Sequence, residues 1–217
     1  EVGYSAGGKA KLVRAPWIIM ATGAIERPFP IRGWTLPGVM MAGAAQTLLK
    51  ASNLAADGAV FAGSGPLLYL VVHQYLEAGV RVAALLDTTA KSNWKAAISH
   101  LPGGLFRWDM LVKGRRWMKK IRQSDVLMVE GVTDLRVLGE DAATRIAYTT
   151  TNGQAAELAA TNIFLHQGVV PHVNLAMAAG VYHEWNENQL CWCPNTDHWG
   201  RTNVDNVVMA GDGAGIS

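Results

Sequence analysis

Two rhythms of apolar and polar positions run along the chain. The first half alternates compact apolar runs with stretches of helical period, the arrangement that βαβ units produce. Residues 14–23 (RAPWIIMATG) form an apolar run with two adjacent isoleucines closed by glycine, which predicts a buried strand entering a sharp turn. Residues 28–38 carry three of the eight prolines. They are predicted to form an ordered crossing loop, because proline removes a backbone donor and fixes φ. A helix is expected over 40–51, a strand over 59–62, a helix over 66–78 opening on proline and closing at Gly79, and a strand over 80–86. Residues 90–100 read as helical. Over 105–122, Leu111, Trp117, Met118 and Ile121 recur near helical spacing, with basic residues on the other faces. The rhythm then shortens: DVLMVEG, TDLRVLG, TRIAYTT and TNIFLHQG are strand-like runs broken by Gly, Asp or Asn, and together they suggest a β-meander. A last strand, NVVMA at 206–210, runs into GDGAG.

Composition narrows the class. In a chain of 217 residues, half apolar and 17% charged with 23 glycines, disorder and collagen are excluded and an α/β fold is expected. The net charge of +2 is too small for a dedicated nucleic-acid binder. Residues 107–122 nevertheless hold seven basic side chains against Asp109 alone. With Trp108 and Trp117 interleaved, a nucleic-acid or acidic-partner reading exists, but a solvated helix face or subunit contact is the better reading. The only cysteines, Cys191 and Cys193, exclude a secreted disulfide framework and point to a reducing compartment, with cytoplasm as the expectation. No signal peptide is legible. Residues 58–76 contain no charged side chain. Gly63, Gly65 and Pro66 interrupt that stretch, so strand, turn and buried helix explain it better than a transmembrane segment.

The strongest chemical signal is Gly63-Ser64-Gly65-Pro66, where a strand runs into G-x-G and directly into a helix. Gly63 permits the tight turn, Gly65 lets backbone approach a pyrophosphate, and the helix N-terminus faces the charge. Leu68 occupies the third fingerprint position, where Gly or Ala is usual. Asp87 ends the next strand near the spacing at which a carboxylate binds an adenosine ribose, which favours NAD over NADP. The bland alternative is a βαβ turn with no ligand. A hydrolase elbow at Ser64 is rejected, because Ala62 and Pro66 stand where glycines are needed. Zinc on His183, Cys191, Cys193 and His198 is disfavoured by the C-x-C spacing, and reduced thiols on one strand face are expected instead. His73 and His100 are read as core or surface histidines.

ATGA at 21–24 and TNVDNVVMAGDGAGI at 202–216 resemble separated signatures of the pyridine nucleotide-disulfide oxidoreductase superfamily. Those flavoproteins carry two dinucleotide-binding domains. ATGAIERPFPIRGWTLPGVMMAGAAQ, AGSGPLLYLV, HQGVVPHVNLA and CWCPNTDHWGRT are similar to the flavoprotein subunits of opine oxidase, hydrogen cyanide synthase and D-hydroxyproline dehydrogenase. The resemblance implies an NAD(P)-binding-like domain at 53–170, Rossmann-like with βαβ and meander, inserted in an FAD-binding domain made of 1–52 and 171–217. It implies that Thr22 and Gly23 lie at the flavin-domain crossover, that Asp212 bonds the ribityl chain and that Gly211 and Gly213 admit the phosphates. Gln167 either bonds flavin or caps a turn, and Gly168 crosses back to the flavin domain.

By the same resemblance, the G-x-G-x-x-G for the ADP half of FAD belongs before residue 1, so residues 1–217 alone are expected to hold FAD poorly. Disulfide reduction by an inserted C-x-x-C is excluded, because 57–165 contain no cysteine. The implied parent is an FAD-dependent dehydrogenase subunit that oxidises a C–N bond of an amine or amino acid and passes electrons onward. Its implied partner is a second oxidoreductase subunit, and peripheral membrane association would come through that complex. No catalytic side chain is nominated. The alternative is a non-catalytic electron-transfer or assembly subunit with a vestigial nucleotide site.

Overall fold

A computed structural model describes residues 1–90 and 108–216; the helix expected over 90–100 and His100 lie almost wholly or wholly outside them, and of 108–111 only the backbone is described. The chain divides into two units, one built from Glu1–Ile25 with Val169–Ser217, the other from Glu26–Gly168. An insertion between two outer pieces is therefore present. The first crossing falls at Ile25, ahead of residue 52, because residues 39–52 join the inserted unit's own sheet and helix layer.

In the inserted unit, strands β5 (Val39–Met41), β6 (Ala59–Ser64), β7 (Val82–Asp87), β8 (Leu127–Glu130) and β12 (Ile163–Gln167) form one parallel sheet in the order β5-β12-β6-β7-β8. Parallel strands covered on both faces need near-continuous apolar sequence, and the fully buried run Ala59-Val60-Phe61-Ala62 supplies it. Alternation then assigns the faces. Phe61, Leu85 and Phe164 meet helices α1 (Ala42–Ser52), α2 (Pro66–Glu77) and α3 (Trp108–Arg122) through Leu68, Val72, Tyr75 and Ile121. Phe61, Tyr75 and Phe164 stack edge to face with centroids 5.0 to 6.0 Å apart. On the opposite face Val60, Ala62, Leu86 and Ile163 pack on Val137, Ile146 and Tyr148.

Those last residues belong to an antiparallel sheet of β9 (Thr133–Leu138), β10 (Arg145–Thr149) and β11 (Ala155–Ala159). The meander is thus smaller than the sequence suggests. DVLMVEG and TNIFLHQG belong to the parallel sheet as β8 and β12, and β11 (AAELA) has too little β-branched content to read as a strand. The uncharged stretch 58–76 is β6 plus α2. Among the described residues, no helix is long and apolar enough to cross a membrane.

In the other unit, β3 (Ile18–Met20) pairs in parallel with β16 (Val207–Met209), matching Ile19 with Val208. Met20, Ala176, Val181, Val207 and Met209 form its buried core. Antiparallel hairpins β1 (Val2–Ala6) with β2 (Lys9–Val13), and β14 (His183–Asn186) with β15 (Cys191–Pro194), complete it with a short helix α4 (Asn174–Ala178). Strand β13 (Val169–Pro171) pairs with β4 (Ala24–Glu26).

Candidate functional site

Within the inserted unit, the chain proceeds from β6 to β7 and β8 on one side, while β12 returns on the other. The C-terminal ends of β6 and β12 therefore flank the switch point where ligands of open parallel sheets bind. Gly63 sits at that edge with φ +138°, and a Cβ there would stand 1.7 Å from the carbonyl oxygen of His166. Only glycine permits β6 and β12 to approach this closely. Gly65, with φ +103°, is the N-cap of α2, Pro66 fills the first turn, and no side chain caps the helix. A helix N-terminus left in this way is favourable to an anion by about 0.3–1 kcal/mol per charge. Leu68 is fully buried in the helix layer.

Three side chains lock the turn to its neighbours. Ser64 Oγ donates to Gln167 Oε1 at 2.9 Å, Gln167 Nε2 donates to Thr88 Oγ1 at 3.0 Å, and Thr88 N–H donates to the Gly63 carbonyl at 2.8 Å. Gln167 is therefore engaged at the glycine turn. A groove of about 570 Å³ opens beside it, with Phe29 and Ile31 of the proline-rich loop, Ser64, Thr88, Thr89 and Gln167 in its lining. Gly168, at φ +86°, accepts the amide of Arg27 at 2.9 Å and ends the unit.

Asp87 lies in register with Gly63, where the spacing argument puts it. Its carboxylate is already engaged: Tyr69 Oη donates to Oδ2 at 2.5 Å, and the Thr89 amide donates to Oδ1 at 2.8 Å. With 4% exposure the residue is buried. Burial first, then the hydrogen bond to Asp87 and the charges of Asp87 and Glu130, push the Tyr69 phenol well above its ordinary value. Sequence reasoning missed Tyr69, which reads as one more apolar position of α2. It also missed Glu26, whose Oε1 lies 2.6 Å from His166 Nδ1. No local pattern could have joined residues so distant along the chain.

In the outer unit, β3 and β16 deliver Thr22-Gly23 and Gly211-Asp212-Gly213 to adjacent strand ends. A Cβ on Gly213 would stand 2.8 Å from Thr22 Oγ1 and 3.4 Å from the backbone of Gly23. Thr22 Oγ1 donates to the His172 carbonyl at 2.8 Å, and the His172 amide donates to the Gly23 carbonyl at 2.9 Å. Asp212 is solvent-exposed at the middle of a short 3₁₀ turn, Gly211–Gly213. Gly213 thus packs on Thr22 and Gly23, with Gly211 and Asp212 next to it in the chain, and the exposed Asp212 carboxylate is an acceptor at this edge.

Cys191 and Cys193 share one face of β15 with Sγ atoms 3.9 Å apart, and both thiols are free. Burial, then the hydrogen bond to Cys191, pushes the Cys193 thiol up. His183 faces Pro194 across the hairpin, out of step with both cysteines.

No family model matches the chain. Over its whole length it is 40% identical to an opine oxidase subunit of Rhizobium meliloti and 41% identical to the corresponding subunit of Agrobacterium tumefaciens, covering 41% and 42% of those proteins. It is 27% identical over 207 residues to hydrogen cyanide synthase subunit HcnB of Pseudomonas protegens, covering 92% of this chain and 43% of that one. The chain thus spans less than half the length of these relatives. Among solved structures, thioredoxin reductase of T. acidophilum superposes with a TM-score of 0.63 at 15% identity, over 97% of this chain and 60% of that one. L-proline dehydrogenase of P. horikoshii superposes with a TM-score of 0.60 at 16% identity, over 92% of this chain and 30% of that one. The chain is therefore similar in sequence to opine oxidase and hydrogen cyanide synthase subunits, and it shares the fold of these two solved oxidoreductases.

Proposed function

We propose, from a chain homologous to opine oxidase subunits and folded like the pyridine nucleotide-disulfide oxidoreductases, that it is the dinucleotide-handling part of an FAD-dependent dehydrogenase subunit. The reaction is oxidation of a C–N bond in an amine or amino acid, with electrons passed onward to a second subunit. The observation that carries this reading is the pairing of Ile19 with Val208, which brings Thr22-Gly23 and Gly211-Asp212-Gly213 to one edge. Asp212 has two carboxylate oxygens free to accept from ribityl hydroxyls, and Gly211 and Gly213 let backbone N–H groups approach phosphate. When bound there, flavin supplies the two-electron acceptor that no side chain of this chain provides. The residues of the chain bind and orient it.

In the inserted unit, Gly63, Ser64, Gly65 and Pro66 form a cradle of the kind that holds a dinucleotide pyrophosphate, and NAD is the ligand it suits. A second reading is favoured by the Tyr69–Asp87 hydrogen bond. With both carboxylate oxygens taken, the ribose partner is occupied, and the protein would transfer electrons or organise a complex without using a nicotinamide nucleotide. Anaerobic mixing of the full-length polypeptide with a panel of N-substituted amino acids, read by loss of flavin absorbance, tests the activity. Bleaching by at least one member supports it, and no bleaching by any amine or amino acid, with dithionite still effective, refutes it.

A further inference from the structure

We propose that His166 forms the floor of the glycine turn and that an anion binds there together with one proton, held on His166 Nε2 and balanced by Glu26. The inference rests on the reading of Gly63–Pro66 as a pyrophosphate cradle and assigns that cradle a pH-linked partner.

Glu26 is fixed at both oxygens. Oε2 accepts the Gly43 amide at 2.7 Å, in the first turn of α1, where the helix dipole favours the charged carboxylate. A Cβ on residue 43 would stand 2.5 Å from that oxygen, so glycine is what lets the carboxylate reach the helix end. Oε1 lies 2.6 Å from His166 Nδ1. A carboxylate only accepts, so Nδ1 carries the hydrogen and the second nitrogen of a neutral ring is left with its lone pair. The His166 side chain is 2% exposed.

That second nitrogen faces the cradle. His166 Nε2 and Cδ2 each lie 3.6 Å from the point where a Cβ of Gly65 would stand. The missing side chain at Gly65 therefore leaves the turn open to the ring edge. A lone pair there repels a phosphate oxygen, whereas an N–H donates to it. An imidazolium in this position lies between two anions, Glu26 behind it and the ligand before it.

The other charged or titratable neighbours do not supply that charge. Asp87 stands across β6 at the end of β7 and is negative; Tyr69 on α2 is held neutral by burial and by its bond to Asp87. Among the described residues that line the groove there is no lysine or arginine, and Asp134 adds a carboxylate. Glu130 and Arg122 also act on Tyr69, with opposite charges that cancel in sum. Among the described residues at the turn, the helix N-terminus and a protonated His166 are then the positive elements, and the proton is taken from solvent as the anion enters.

The test is calorimetric titration of the full-length polypeptide with ADP-ribose, a probe that carries the pyrophosphate without the nicotinamide. Each titration is run in two buffers of different ionisation enthalpy, from about pH 6 to about pH 8, the range histidine spans. Uptake of about one proton per ADP-ribose, with affinity falling up to about tenfold per pH unit as pH rises, is the result expected from linkage. His166→Gln abolishes the uptake and flattens the pH dependence; Glu26→Gln reduces the uptake. Should either variant fail to fold, the wild-type proton count decides alone. Binding with no proton uptake overturns the proposal and leaves the cradle reading standing, as does uptake that persists in His166→Gln. No binding by the wild-type protein at any pH overturns both.

Discussion

Tyr69 donates its phenolic hydrogen to Asp87 Oδ2 at 2.5 Å, linking the first turn of α2 to the end of β7 on the strand beside the glycine turn. This bond uses the carboxylate that spacing along the chain assigns to a ribose. Tyr69→Phe leaves a buried acceptor short of a donor. A loss of about 1–3 kcal/mol in unfolding free energy is expected, measured by denaturant titration. If the nucleotide site is used, the same variant frees Asp87 Oδ2 and tightens NAD binding.

The tyrosine also sets an alkaline limit. Its folded-state value lies above the ordinary 10.0, so its contribution to stability is fully present below about pH 10 and is lost as pH rises further. Tyr75 is shifted in the same direction by burial. The melting temperature should therefore fall above about pH 10, and less steeply in Tyr69→Phe.

Gly63 and Gly65 are expected to differ in what they tolerate. Alanine at 63 would place a methyl 1.7 Å from a backbone oxygen, so Gly63→Ala should not accumulate as folded protein. Alanine at 65 meets only ordinary contacts at 3.6 Å, but its φ of +103° costs about 1–3 kcal/mol. Gly65→Ala should fold by circular dichroism and lose ADP-ribose affinity by about tenfold or more, since a loss of about 1.4 kcal/mol is tenfold.

Thiol chemistry offers a separate check on the outer unit. With the Cys193 thiol pushed up by burial and by Cys191, little thiolate exists at neutral pH. Labelling by a chromogenic disulfide should be slower than for an unstructured cysteine peptide and should accelerate above about pH 9, with denaturant removing the difference.

Much of this is legible along the chain because local chemistry carries it. Val60 to Pro66 announces its own strand, turn and helix, and the turn stands where the spacing puts it. The place of the GDG segment beside Thr22 is instead what the resemblance of ATGA and NVVMAGDGAG to separated flavoprotein signatures implies. What escapes is non-local. The Glu26–His166 and Tyr69–Asp87 contacts depend on strand order, and a lone glutamate, histidine or tyrosine carries no periodic signal. Strands β8 and β12 read as part of the meander because a short apolar run looks alike in parallel and antiparallel sheets; burial on both faces decides between them.

The most direct measurement is the flavin content of the full-length polypeptide, by absorbance and by mass spectrometry of the released cofactor, beside Asp212→Ala. The account predicts about one FAD per wild-type chain and a clear loss in the variant, because Asp212 stands free at the joined edge of β3 and β16. A folded full-length protein without flavin, or one whose FAD content is unchanged by Asp212→Ala, would contradict it.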